Sequence, residues 1–89
     1  MKRFLIEREI PGVGGLDAKG LRDAARTSNA ALAKLDDVQW LESFVVADKT
    51  YCVYLAKDED AIREHAKLSG FPATRISEIK AKIDPATAE

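Results

Sequence analysis

The chain has 89 residues, 46% hydrophobic and 33% charged, and its 14 basic and 15 acidic side chains leave a net charge of −1. That is one domain with a thin core, without general attraction to nucleic acid or anionic lipid, and without the run of ~18 apolar residues that a membrane span needs. A single cysteine, Cys52, and a single histidine, His65, exclude an intrachain disulfide, a multi-cysteine zinc site and any two-histidine metal motif within one chain.

In the opening Met1–Arg8, charge returns after three apolar residues. This is too soon for the ~7-residue apolar region of a signal peptide, so a cytoplasmic location is expected. Residues 3–9 read as a strand, and Pro11-Gly12-Val13-Gly14-Gly15 breaks it. Leu21, Ala24, Ala25, Ser28, Ala31, Leu32 and Leu35 then recur at helical spacing. Asp17 suits the N-cap of that helix, and Leu16 and Leu21 suit a hydrophobic staple across its start. Residues 39–46 and 50–56 are rich in β-branched and aromatic side chains, and the short break between them predicts an antiparallel hairpin. A second helix is expected from about Glu59 to Leu68, with acidic residues at its start and Lys67 near its end. Gly70 suits the left-handed cap that follows, and Pro72 forbids continuation. Residues 74–83 alternate as a fourth strand that Asp84-Pro85 ends.

The order strand-helix-strand, strand-helix-strand predicts two interleaved βαβ units. The expected fold is a ferredoxin-like α+β sandwich, a four-stranded antiparallel sheet with both helices on one face. A single domain over 1–84 and a frayed tail over 85–89 follow from the same reading.

One face of such a sheet is left without helices. The cost of burying a carboxylate places Glu7 there with Leu5, and leaves Phe4 and Ile6 for the core. On hydropathy, Val53, Leu55, Ile79, Ala81 and Ile83 are expected inward, and Cys52, Tyr54, Ile76 and Glu78 outward. The phase of strand 39–46, with Trp40 and Phe44 in one register and Leu41 and Val45 in the other, stays open. A face so apolar predicts a homodimer formed through the open sheet.

Few motifs carry chemistry. Gly12-Val13-Gly14-Gly15 sits where a phosphate loop would, but Asp17 replaces the glycine of the dinucleotide fingerprint and no Walker lysine follows, so a flexible turn is the simpler reading. The stretch Lys49–Tyr54 has the basic and aromatic content of an RNA-binding strand. Tyr51 and Tyr54, three positions apart, point to opposite faces and cannot stack bases together, and no nucleic-acid partner is expected. His65 is either a packed histidine at the core border or a metal ligand or proton-transfer group. Cys52 is either a small buried hydrophobe or a thiolate ligand. Glu7, in mid-strand, needs a partner, and Arg8, Arg75, a metal or a substrate could supply it. The run Asp58-Glu59-Asp60 is helix-start chemistry.

Taken together, Phe4-Leu5-Ile6-Glu7-Arg8, Asp48–Tyr54 and the Arg63-Glu64-His65-Ala66…Gly70-Phe71-Pro72-Ala73-x-Arg75-Ile76 segment resemble a small bacterial domain-of-unknown-function family. Its characterised relatives include a nickel-binding protein with a dimeric ferredoxin-like fold. The resemblance implies that fold, a dimer, and a divalent metal such as nickel with His65 as a ligand. Glu7, Cys52 and Tyr51 match the family pattern, and Arg75 falls within the matching segment. Ser69 stands where some relatives carry a second histidine. Three functions compete: a non-catalytic dimeric module binding a divalent metal or small ligand, a small α+β barrel-type enzyme with His65 or Glu7 as general base, and a structural interaction module.

Overall fold

The computed structural model describes residues 1–89. The elements run β1 (Lys2–Glu9), a 3-10 turn (Val13–Gly15), α1 (Ala18–Leu32), β2 (Val38–Val45), β3 (Lys49–Ala56), α2 (Glu59–Ser69), β4 (Arg75–Glu78) and a terminal 3-10 turn (Pro85–Ala88). The four strands form one antiparallel sheet in the order β2-β3-β1-β4, and the buried faces of both helices pack on one side of it. This is the expected ferredoxin-like α+β sandwich.

Both helices start where the sequence places a cap. The Asp17 carboxylate accepts from the Gly20 amide at 2.8 Å, and that of Asp58 from the Ala61 amide at 2.9 Å, meeting first-turn donors that have no partner within the helix. Gly70 closes α2 with φ 79°, and its amide donates to the Ala66 carbonyl at 2.9 Å. Only glycine enters this region at little cost.

The core is built from Phe4 and Ile6 on β1, Tyr54 and Ala56 on β3, and Ala61 and Ile62 on α2. Strand β1 has the expected phase, with Leu5 and Glu7 on the open face. Strand β3 has the reverse of the expected one. Cys52 and Tyr54 are buried beneath the helices, while Val53 and Leu55 are half-buried on the open face. The register gives the reason. Phe4 lies opposite Tyr54 and Ile6 opposite Cys52, and residues directly opposite in an antiparallel pair share a face. Once Phe4 and Ile6 point inward, Cys52 and Tyr54 must follow, whatever the hydropathy of Val53 and Leu55.

The same rule corrects β4. Ile76 lies opposite Ile6 and packs on the core, and Glu78, opposite Phe4, shares that side rather than the open face. The strand ends at Glu78, although Ile79 adds one more hydrogen bond to the Arg3 carbonyl at 2.7 Å. Ala81 and Ile83, expected inward on a longer strand, are exposed.

Strand β2 resolves its open phase with a bulge. Trp40 pairs with Tyr54, and Glu42 with Val53, so Leu41 is the extra residue. Before the bulge Trp40 faces the helices. After it Phe44, opposite Tyr51, faces away and is 55% exposed. The open face therefore presents Leu5, Phe44, Tyr51, Val53 and Leu55 around Glu7.

The glycine-rich stretch is a docked turn rather than a flexible one. The Gly14 amide donates to the Ala47 carbonyl at 2.9 Å, and the Gly12 amide to the Asp48 carboxylate at 2.9 Å. This pins the segment between β1 and α1 against the β2–β3 hairpin.

Candidate functional site

Four polar side chains converge between the sheet and the helices: Arg8 from β1, Tyr54 from β3, Ser28 from α1 and His65 from α2. Arg8 shares the phase of Phe4 and Ile6, and so is carried into the interior at 2% exposure; His65, at 0%, sits one turn beyond Ile62 on the buried stripe of α2. Ser28 Oγ lies 3.2 Å from His65 Nε2 and 3.4 Å from the Tyr54 hydroxyl. The Tyr54 and His65 rings are 5.1 Å apart at a tilt of 54°. The Arg8 guanidinium stands 5.8 Å from the centre of the Tyr54 ring, within cation–π range.

Two atoms of this cluster lack partners. Arg8 Nη1 donates to the Pro72 carbonyl at 2.8 Å, with the Phe71 carbonyl at 3.4 Å, but Nη2 is buried without an acceptor. His65 Nδ1 is likewise buried and unpaired. Burial, with the Arg8 charge adding to it, holds the His65 imidazole below its ordinary value of 6.5, while the Ser28 contact acts weakly in the opposite sense. Burial raises the Tyr54 hydroxyl above 10.0, against smaller lowering effects from Ser28 and Arg8. At neutral pH the cluster therefore holds one cation, Arg8, and three neutral groups.

The His65 shift has a direct consequence for stability. Its folded value lies below the unfolded one, so the unfolded chain binds the extra proton as pH falls through about 6.5. Stability should be full above that pH and decline below it until the folded value is passed. His65 is the only histidine, so thermal midpoints measured from pH 7.5 to 5 on wild type and His65→Gln isolate it. The wild type should lose stability across this window while the variant stays flat; parallel curves would reject the shift.

Beside the cluster, between α1 and the sheet, lies a cavity of about 160 Å³. Val13, Leu16, Leu21, Ala24 and Ala25 line it from the turn and α1, and Trp40 and Val45 from β2; Arg8, Ser28, Ser43, Thr50 and Tyr54 are its polar members. The leucines expected to staple α1 thus serve as cavity wall.

The residues singled out from the sequence separate into two groups. Cys52 and His65 are buried on the helical side, where the Cys52 thiol lies 3.4 Å from Thr50 Oγ1 and lines the cavity. Glu7, Tyr51 and Arg75 lie across the open face, with Tyr51 and Arg75 each directly opposite Glu7. The Glu7 carboxylate is 4.0 Å from Arg75 Nε. Arg75, not Arg8, is therefore its ionic neighbour, and the sheet separates Glu7 from His65. Arg8, Ser28 and Tyr54 were not expected in a site. The alternation Phe4, Ile6, Arg8 carried the signal for Arg8; Ser28 was visible on the helical stripe, but not the imidazole it meets.

Residues 4–79 match the family described as nickel responsive protein SCO4226-like. The chain belongs to that family. The crystal structure of SCO4226 from Streptomyces coelicolor A3(2) shares its fold, with a TM-score of 0.76 over 91% of this chain and 99% of that one, at 17% identity. Among curated proteins, none matches the chain. No helix is long and apolar enough to cross a membrane.

The donor set fits nickel poorly within one chain of this member of the family. No three His, Cys, Asp or Glu side chains come together, and Arg8, whose charge already disfavours the imidazolium of His65, would oppose a dication at His65 as well. Nor is a catalytic triad assembled. Ser28 and His65 have the contact of a nucleophile–base pair, but no carboxylate orients Nδ1, and the lowered imidazole is a weaker base.

Proposed function

We propose that the protein is a non-catalytic binding module, dimeric through its open sheet face, that takes a small and mainly apolar organic ligand into the cavity between α1 and the sheet. The cavity carries this reading. Its volume of about 160 Å³ is close to the roughly 150 Å³ of an apolar protein cavity that holds benzene, so a single ring is the right scale. Trp40 is the only tryptophan and lines the cavity, which makes its fluorescence the natural readout. Benzamide, a neutral one-ring probe, should shift Trp40 emission in a saturable way. Ala25→Phe, which fills the cavity from α1, should abolish the response while leaving the circular dichroism unchanged. An identical titration in the variant would refute the reading.

The dimer rests on Leu5, Val53, Leu55 and the exposed Phe44 around Glu7, an apolar sheet surface that no helix covers. Light scattering should give twice the 9.8 kDa chain mass for the wild type, and Val53→Asp should halve it. A wild-type monomer at micromolar concentration removes this part of the proposal.

The family description supports a second reading, a divalent cation held between two chains. Glu7 favours it over the interior, because its carboxylate is half-buried on the face proposed to pair and its only ionic contact is the long one to Arg75. Carboxylate oxygens alone suit harder divalent ions better than nickel, and copper would bind them at least as tightly as nickel does. Calorimetry with nickel should show binding lost in Glu7→Gln and retained in His65→Ala; the converse would place the ion at the histidine.

A further inference from the structure

We infer that the ligand of the cavity is a small monocarboxylate, its anionic head set against Arg8 and its body no larger than about one aromatic ring. This rests on the binding function proposed above and adds the chemical class.

The reason is an uncompensated charge. Arg8 is 2% exposed and stays protonated at any ordinary pH. Buried cations are normally paired with an anion, yet all five ion pairs of the chain lie elsewhere, at Lys19–Asp23, Arg63–Glu59, Arg75–Glu7, Lys80–Glu78 and Lys82–Asp84. Two backbone carbonyls occupy Nη1, while Nη2 has no acceptor. A water molecule could accept from Nη2 but would leave the charge unbalanced. Arg8 is also the only ionic residue lining the cavity, and Tyr54 and Ser28 line it with Arg8. One arginine and a few hydroxyl-bearing residues in an otherwise apolar lining match a monoanion with a hydrophobic body. A phosphate, with its larger charge and three acceptor oxygens, asks for more donors than this cavity offers.

The test compares benzoate with benzamide, which have the same ring and nearly the same shape but differ in charge. On the wild type at pH 7, followed by Trp40 fluorescence, benzoate should bind roughly tenfold or more tightly, the scale of one charge-assisted hydrogen bond. Arg8→Gln should bring the two ligands level, and Arg8→Lys, which keeps the charge, should retain part of the preference. Because Arg8 also holds the Pro72 carbonyl, a readout free of mutation accompanies these. Benzoate beside Arg8 offsets the field acting on His65, so the imidazole resonances of the wild type should titrate at higher pH with benzoate than with benzamide. Equal affinity of the wild type for both ligands, or no movement of the His65 titration, overturns the carboxylate inference and leaves the cavity reading standing. Failure of both ligands to bind overturns both.

Discussion

Ile62→Ala is expected to lower folding stability by about 2–5 kcal/mol, the largest effect of any single truncation considered. Ile62 is fully buried and belongs to the cluster that joins α2 to Phe4 and Ile6 on β1. Its removal takes away apolar burial and leaves a void that neighbours on a rigid sheet fill only in part. In a chain of this length each kcal/mol moves the thermal midpoint by about 4–8 °C, so a drop of roughly 10 °C or more should appear by circular dichroism. Leu68→Ala, on the same helix but 42% exposed, is the control and should stay within about 0.5 kcal/mol of wild type. A loss below about 1 kcal/mol for Ile62→Ala would mean that α2 is not held by this contact. Because His65 sits one turn further along the same stripe, loosening α2 should also weaken the His65–Ser28 contact.

Gly14→Ala is the second large effect, and it arises from backbone rather than core. A Cβ at Gly14 would stand 2.5 Å from the Val46 carbonyl oxygen and 2.8 Å from Ala47 Cα. Both are main-chain atoms of the hairpin turn, with no side-chain torsion to relieve the overlap. A cost of about 1–3 kcal/mol is expected, measured by urea unfolding. Gly15, the next residue of the same turn, has open space at its Cβ position and no positive φ. Gly15→Ala should be neutral or slightly stabilising, through the smaller entropy of its unfolded chain. If both variants unfold at the same urea concentration as wild type, the close approach is not a constraint. Val13, next to Gly14, is buried and lines the cavity. Gly14→Ala should therefore also weaken ligand binding, whereas Gly15→Ala should not.

These two residues mark how differently the fold and the site could be read from the chain. The buried stripe of α2 containing Ile62 is visible as helical spacing, and the caps Asp17, Asp58 and Gly70 are local signals that act within one turn. The role of Gly14 was not visible, because the backbone it approaches is more than thirty residues away. Separation along the chain also hides the phase of β3. Val53 and Leu55 are the more hydrophobic phase, and hydropathy places them inward, but pairing of Phe4 with Tyr54 turns them out. In β2 the bulge at Leu41 places Trp40 and Phe44 on opposite faces, an outcome that strict alternation does not contain.

The candidate site was legible only in pieces. His65 and Cys52 stand out in the sequence as rare residue types, and both are buried on the helical side. Glu7 stands out as a mid-strand carboxylate, and it lies on the other face beside Arg75. The groups that give the interior its chemical character, Arg8, Tyr54 and Ser28, come from three elements and look ordinary one at a time. An arginine beside Glu7 reads as a partner for that carboxylate, and a serine on a helical stripe reads as a small packing residue.

From the order and periodicity of its residues alone, this chain determines the type and order of its main strands and helices, its caps, its two-layer α+β architecture and the presence of an uncovered sheet face, because each depends on neighbours within a few positions or on rules of connection. Strand register decided the rest: which phase of β3 and β4 is buried, where the bulge falls, and that a guanidinium, a phenol, an imidazole and a hydroxyl meet beside an apolar cavity. Register is a property of paired strands, set by packing between distant segments, and no single segment contains it.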